Sequence, residues 1–182
     1  MKKAYIFLAD GFEEVEGLTA VDLLRRAGVE VVMVSIKDDV NIKGARGINV
    51  IADTTISGDM SDADMVVLPG GMPGTNYLKE SEAVRKIVAQ YNDEGKFVAA
   101  ICAAPTVFGD MGILAGKKAT CYPGLEPRLD GAMWPGADYK VVQDGNIITS
   151  RGVGTAIDFA LKLIEVLIDS KKSEEIAKSI VF

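Results

Sequence analysis

The sequence contains no histidine among its 182 residues. Histidine is the commonest general base and the commonest metal ligand in proteins, so its absence excludes a Ser-His or Cys-His catalytic pair within this chain. We therefore expect neither a metal ion nor a cofactor, and any acid-base chemistry must rely on other side chains.

Cysteine is also scarce, and long apolar segments are missing. Cys102 and Cys121 are the two thiols, too few for a disulfide framework, and such a chain suits the reducing cytosol. The first apolar run, residues 4–8, is too short for a signal peptide or a membrane span. We expect a cytoplasmic protein without a membrane partner.

Basic residues are outnumbered, with 20 Lys and Arg against 26 Asp and Glu, which gives a formal charge of −6. This charge opposes binding to phosphate backbones, so nucleic acid is not expected as a partner. Hydrophobic residues make up 48% of the chain, which is enough to fill the core of one ordinary domain. We expect a single domain over residues 1–182.

Apolar runs rich in Val and Ile, bounded by Gly, Pro or Asp, predict buried strands. These lie at residues 4–8, 29–36, 65–68, 97–101 and 147–150. Helical spacing of apolar residues predicts helices at residues 15–27, 81–94, 155–168 and 173–180, the third capped by Thr155. Alternating strands and helices indicate an α/β fold with a doubly wound, mostly parallel sheet. An Asp144-Gly145 pair predicts a hairpin that adds an antiparallel strand.

The most informative local pattern surrounds Cys102. A buried strand, the thiol, small residues and then Pro105 are typical of a nucleophile elbow, a sharp turn from a strand into a helix. The amides and the positive dipole end of that helix are expected to lower the thiol pKa. The alternative is that Cys102 is simply a small buried hydrophobic residue.

Acidic residues and glycine turns follow other strands of the predicted sheet. Glu16 lies in a helix that begins after the first strand, at the edge of the sheet where α/β proteins place their sites. Its neighbours Glu13 and Glu14 are interpreted as surface groups that complement the helix dipole. Gly71, in a glycine turn, allows a backbone N–H to approach a ligand closely, and Arg151 beside two glycines could bind an anion.

Together, four ordered motifs resemble the ThiJ/PfpI superfamily, in its DJ-1 branch and its bacterial type. They are GFEEVE at 11–16, VLPGG at 67–71, AAICAAP at 99–105 and TSRGVGT at 149–155. The resemblance covers almost the whole chain and implies a flavodoxin-like fold. It also implies that Cys102 is a nucleophilic or redox-sensing thiol, that Glu16 is its hydrogen-bonded acid, and that the Gly71 and Ala103 amides are oxyanion donors.

The same resemblance makes Arg46 and Arg151 anion-contacting residues and implies a homodimer in which Arg46 could serve the partner's site. The chain departs from many relatives at Tyr122, where they carry a histidine near the cysteine. Because peptidase relatives pair cysteine with histidine, a cysteine peptidase becomes the less favoured interpretation. A phenol is a poor base at neutral pH, since its reference pKa is about 10.

Two functions remain open at this stage. The first is a glyoxalase-like or deglycase-like enzyme, in which Cys102 attacks a small reactive carbonyl or the adduct on a glycated protein or amino acid, and Glu16 moves the proton. The second is a non-enzymatic redox sensor or oxidative-stress chaperone, in which Cys102 is oxidised to a sulfinate.

Overall fold

The computed structural model describes residues 1–182 and is built around a seven-stranded sheet. Nine strands are present: β1 (Lys3–Leu8), β2 (Glu30–Ser35), β3 (Asn41–Lys43), β4 (Asn49–Ile51), β5 (Thr54–Thr55), β6 (Met65–Leu68), β7 (Phe97–Ile101), β8 (Val141–Asp144) and β9 (Ile147–Ser150). The order in the large sheet is β5-β2-β1-β6-β7-β9-β8, while β3 and β4 form a separate antiparallel pair.

Six α-helices connect and cover these strands. They are α1 (Glu14–Arg26), α2 (Gly74–Glu80), α3 (Glu82–Asp93), α4 (Pro105–Asp110), α5 (Ala156–Leu167) and α6 (Ser170–Ser179). None of the helices combines the length and the apolar character that a bilayer crossing requires.

The large sheet is parallel except at one edge, where β8 runs antiparallel to β9. Parallel strands need long crossovers, and the helices provide them, so both faces of the sheet are covered. All four residues of β6, at the centre of the sheet, are buried. The carboxyl ends of β1, β6, β7 and β9 therefore meet along one edge of the sheet.

Two hydrophobic clusters fill the space between the sheet and its helices. A cluster of 26 buried residues includes Leu24 of α1 and Phe159 of α5, which pack on one face. A second cluster of 22 buried residues includes Val88 of α3 and Phe108 of α4 on the other face. Burial of side chains of this size contributes roughly 1.5–3 kcal/mol each, which makes the sheet a rigid support for its edge.

The predicted doubly wound α/β fold is confirmed, as is the hairpin, whose two-residue loop is Gly145-Asn146 with a φ of 62° at the glycine. The sequence patterns missed the short strands β3, β4 and β5 and the helix α2.

Helix α6 begins three residues earlier than predicted, because the Asp169 side chain accepts a hydrogen bond from the Lys172 N–H. Thr155 occupies the predicted N-cap position of α5, but its hydroxyl bonds to Gly152 and caps no amide of the helix.

Candidate active site

Cys102 occupies a sharp turn directly after β7. Its φ is 65°, a left-handed conformation that is unfavourable for any residue other than glycine and costs of the order of 1–3 kcal/mol. The turn is fixed from both sides, since the Cys102 N–H donates to the Ser150 carbonyl (3.0 Å) and its own carbonyl accepts from the Tyr122 N–H (2.8 Å). The end of β9 and the loop at Tyr122 thus hold the partly exposed thiol in its strained position.

Glu16, in the first turn of α1, is 1% exposed and lies beside this thiol. Its Oε2 accepts a hydrogen bond from the Gly70 N–H (3.0 Å). Its Oε1 is buried without a hydrogen-bond partner, and the carboxyl lies near enough to the Cys102 thiol for each group to shift the other's pKa. One carboxyl oxygen therefore has capacity left for a group in the site.

Gly70 is the residue that allows this approach. A Cβ at position 70 would lie 2.6 Å from the Cys102 Cβ and 2.7 Å from Glu16 Oε2. Both distances are shorter than real Cβ contacts, so a side chain here would force the acid and the thiol apart. Gly71 follows with a φ of 93°, which again favours glycine.

Burial dominates the electrostatics of the pair. Desolvation raises the pKa of Glu16 to about 7, against the lowering effect of the nearby Cys102 thiol and of the hydrogen bond from the Gly70 N–H. Desolvation also raises the pKa of the Cys102 thiol to about 12. The negative charge of the Glu16 carboxylate and its attraction for the thiol proton add to this shift, whereas the amides of Ala103 and Gly71 lower the pKa. The predicted lowering of the thiol pKa by the helix is therefore wrong. Helix α4 has only six residues and begins with a proline that offers no N–H.

The proton on Glu16 changes this balance. When Glu16 is protonated, its carboxyl no longer repels a thiolate and can donate a hydrogen bond to it, so two of the three causes that raise the thiol pKa are removed. A neutral carboxyl beside a thiolate carries the same total charge as a carboxylate beside a thiol. The arrangement can therefore deliver a thiolate near neutral pH by moving one proton within the pair.

The seven residues predicted for the site line one pocket of about 680 Å³. They are Glu16, Arg46, Gly71, Cys102, Ala103, Tyr122 and Arg151. Their proximity is a fact of the structure, while their functional roles stay predictions.

The two arginines and the tyrosine stand at the mouth of the pocket. Arg46 is three-quarters exposed and 3.8 Å from Glu13, so it lines the pocket of its own chain, and the homodimer stays a prediction. Arg151 donates to the Ala137 carbonyl. Tyr122 is half-exposed, and its ring packs over Gly152, where an added Cβ would lie 3.5 Å from the ring.

The interpretation of Glu13 and Glu14 as surface groups is wrong. Their exposed fractions are 8% and 3%, and Glu14 accepts backbone hydrogen bonds from the loop between β3 and β4. No sequence pattern indicates this role, because the partner amides belong to a loop more than 30 positions away whose strands were not predicted. Glu13 thus lines the pocket, and Glu14 binds the loop that carries Arg46.

Cys121 differs from Cys102 in its access to solvent. It is 1% exposed, its thiol donates to the Tyr122 carbonyl (3.4 Å), and burial raises its pKa to about 12. Its side chain belongs to the hydrophobic cluster on the face of the sheet covered by α3 and α4. It is therefore a core residue in this structure.

Comparisons with known proteins agree with this fold. Residues 2–166 match the model of the DJ-1/PfpI family. Protein dj-1beta of Drosophila melanogaster is 42% identical over 180 residues, covering 98% of this chain and 96% of its own. The glutathione-independent glyoxalase DJR-1.2 of Caenorhabditis elegans is 31% identical, with 97% and 95% covered. The structure of oxidized Toxoplasma gondii DJ-1 superposes with a TM-score of 0.95 at 36% identity, covering 100% and 99% of the two chains.

Proposed function

The chain belongs to the DJ-1/PfpI family, and on that premise we propose that it is a stress-response protein of the DJ-1 type that converts small α-oxoaldehydes through Cys102. The observation that carries the proposal is the pairing of Cys102 with the buried acid Glu16, whose pKa of about 7 lets it both give and take a proton near neutrality. The similarity to a relative named as a glyoxalase supports the same substrate class.

The proposed reaction begins when the Cys102 thiolate adds to the aldehyde carbon of methylglyoxal. The carbonyl oxygen becomes an oxyanion near the Gly71 and Ala103 amides and takes the proton of Glu16, which gives a hemithioacetal. The Glu16 carboxylate then removes the proton from that carbon, which gives an enediolate, and returns it to the neighbouring carbon, while the proton of the hemithioacetal hydroxyl passes to the oxygen of the neighbouring carbon. The product is a lactoyl thioester on Cys102.

Water completes the cycle by hydrolysing the thioester, which releases lactate and restores the thiol. The sum is one methylglyoxal and one water converted to lactic acid, so no oxidant, reductant or cofactor is consumed. The same attack on the adduct of a glycated protein or amino acid would make the protein a deglycase. A peptidase reaction is disfavoured because the chain has no histidine to protonate a leaving amine.

A lactate assay with methylglyoxal tests this proposal. We expect lactate from the natural chain and from Cys121→Ser, and none from Cys102→Ser. Cys121→Ser is the matched control, since it makes the same exchange of sulfur for oxygen at the buried core thiol.

The second candidate is redox sensing by the same thiol. Cys102 is partly exposed and Glu16 Oε1 is unpartnered, so a protonated Glu16 could donate a hydrogen bond to a Cys102 sulfinate. The similarity to the structure of oxidized Toxoplasma gondii DJ-1 supports this candidate. Absence of lactate from every variant, together with a peroxide-dependent sulfinate on Cys102, would favour the sensor over the enzyme.

A further inference from the structure

The loop between β3 and β4 carries Arg46 to the mouth of the pocket, and it is docked on the segment that begins α1. The Ala45 N–H donates to the Phe12 carbonyl (2.8 Å), and the Gly11 N–H donates to the Lys43 carbonyl (2.7 Å). The loop turns back on itself between Gly44 and Ile48, where the Gly44 N–H donates to the Ile48 carbonyl (2.9 Å), and the carboxylate of Glu14 lies inside that turn.

Glu14 bonds to the turn through one oxygen. Its Oε1 accepts from the Arg46 N–H (2.7 Å) and from the Ile48 N–H (3.3 Å). A Cβ at Gly44 would lie 2.2 Å from this oxygen and 2.5 Å from the Glu14 Cγ, so the turn is wrapped closely around the acid. The short Arg46 bond has a charged acceptor, and such bonds are roughly twice as strong as neutral ones.

The ion pair of the Arg46 side chain is too weak to hold the loop by itself. Its guanidinium lies 3.8 Å from Glu13 and the side chain is 75% exposed. Exposed ion pairs of this kind contribute little, because solvent screens them and two long side chains must be ordered. The hydrogen bond from the Arg46 N–H to Glu14 is therefore the contact that fixes the position of the Arg46 backbone.

We propose that Glu14 is a positioning residue that holds Arg46 over the Cys102 pocket by binding the backbone of the loop between β3 and β4. Glu14 itself does not touch the reacting atoms. Glu14 affects the site by keeping the positive charge of Arg46 near the Cys102 thiolate. That charge should make the thiolate react preferentially with anionic reagents. This inference concerns the pocket of the proposed reaction, but it holds whether or not the protein turns over an oxoaldehyde.

The test compares alkylation of Cys102 by iodoacetate, an anion, and iodoacetamide, its neutral analogue, with both rates followed by peptide mass spectrometry. Both reagents need the thiolate, so their rate ratio cancels the thiolate fraction and reports the charge near the sulfur. We expect Arg46→Ala to lower the ratio about two- to fivefold, the range for one partly solvated charge. Glu14→Ala should lower the ratio to the same degree, because the N–H groups of Arg46 and Ile48 lose their acceptor and bond to water instead, so that the loop moves away from the pocket.

Glu14→Gln separates positioning from charge. Its amide oxygen can accept from the same two N–H groups, so the ratio should stay at the natural value or rise, since a negative charge has been removed. Gly44→Ala, which keeps Glu14 but crowds it, should lower the ratio as Glu14→Ala does. Glu82→Ala, at an exposed first-turn position of α3, controls for removal of a glutamate elsewhere.

A double variant completes the test. If Glu14 acts through Arg46, then Glu14→Ala should have no further effect on the ratio in an Arg46→Ala background. An undiminished effect in that background would overturn the proposal. So would an unchanged or raised ratio in Glu14→Ala when its circular dichroism and thermal midpoint show a folded chain. Should Glu14→Ala not fold, a ratio in Gly44→Ala equal to the natural one would contradict the proposal instead.

Discussion

Replacing Glu16 by glutamine should stabilise the folded protein above neutral pH. Glu16 is 1% exposed, and burial raises its pKa from 4.5 to about 7. Between these two values the folded protein keeps a proton that the unfolded chain has lost, so stability falls as the pH rises through this window. At about 1.4 kcal/mol for each pH unit, the loss reaches about 3 kcal/mol above pH 7. Glutamine has nearly the same shape and cannot ionise, so the free energy of unfolding of Glu16→Gln should not fall in this pH window for this reason.

Urea unfolding of the two proteins from about pH 5 to about pH 8 measures this effect, at one protein concentration and with a reductant present. The free energy of unfolding of Glu16→Gln should match that of the natural chain at the acid end and exceed it by about 3 kcal/mol at the alkaline end. Glu82→Gln serves as the control for removing one exposed glutamate. A difference that does not grow with pH, or a less stable glutamine variant at pH 8, would refute the reasoning.

Three further predictions concern the thiol and its neighbours. Dilute peroxide should oxidise Cys102 to the sulfinate before Cys121, because only Cys102 is accessible. Oxidation of Cys121 before Cys102, as followed by peptide mass spectrometry, would contradict this. Gly70→Ala should lower lactate formation and sulfinate yield by at least about tenfold, because a methyl group separates the acid from the thiol; unchanged yields would show that their contact is unimportant. Tyr122→His should raise lactate turnover, by up to about 10²-fold, because it supplies an imidazole base at the pocket wall, and an unchanged rate would reject the missing-base argument.

Much of the fold could be predicted because its signals are local. The strands that end at the site are short apolar runs, and the elbow at Cys102 is formed by consecutive residues. A window of about ten positions is therefore enough to recognise both. The strands β3, β4 and β5 are two or three residues long and partly exposed, so no apolar run marks them. The contacts that hold them in place, such as the bonds of Glu14 to the loop between β3 and β4, depend on the tertiary fold.

The electrostatics of the site were only half predictable. Placing Glu16 beside Cys102 predicts a raised acid pKa, and the structure agrees in direction. The local motif also predicts that the helix after Cys102 lowers the thiol pKa, but burial and the nearby carboxylate outweigh a six-residue helix. Burial is a property of the whole fold, so the sign of such a shift cannot be predicted from the local motif.

The central claim is that Cys102 and Glu16 hold one proton between them near neutral pH, and the rate of Cys102 alkylation by iodoacetamide as a function of pH tests it most directly. In the natural chain the rate should rise through about pH 7, where the pair loses its first proton, and then level off, because the thiolate beside protonated Glu16 becomes a constant fraction. In Glu16→Gln the rise near pH 7 should vanish and alkylation should follow the thiol alone. The same midpoint near pH 7 in both proteins would contradict the account.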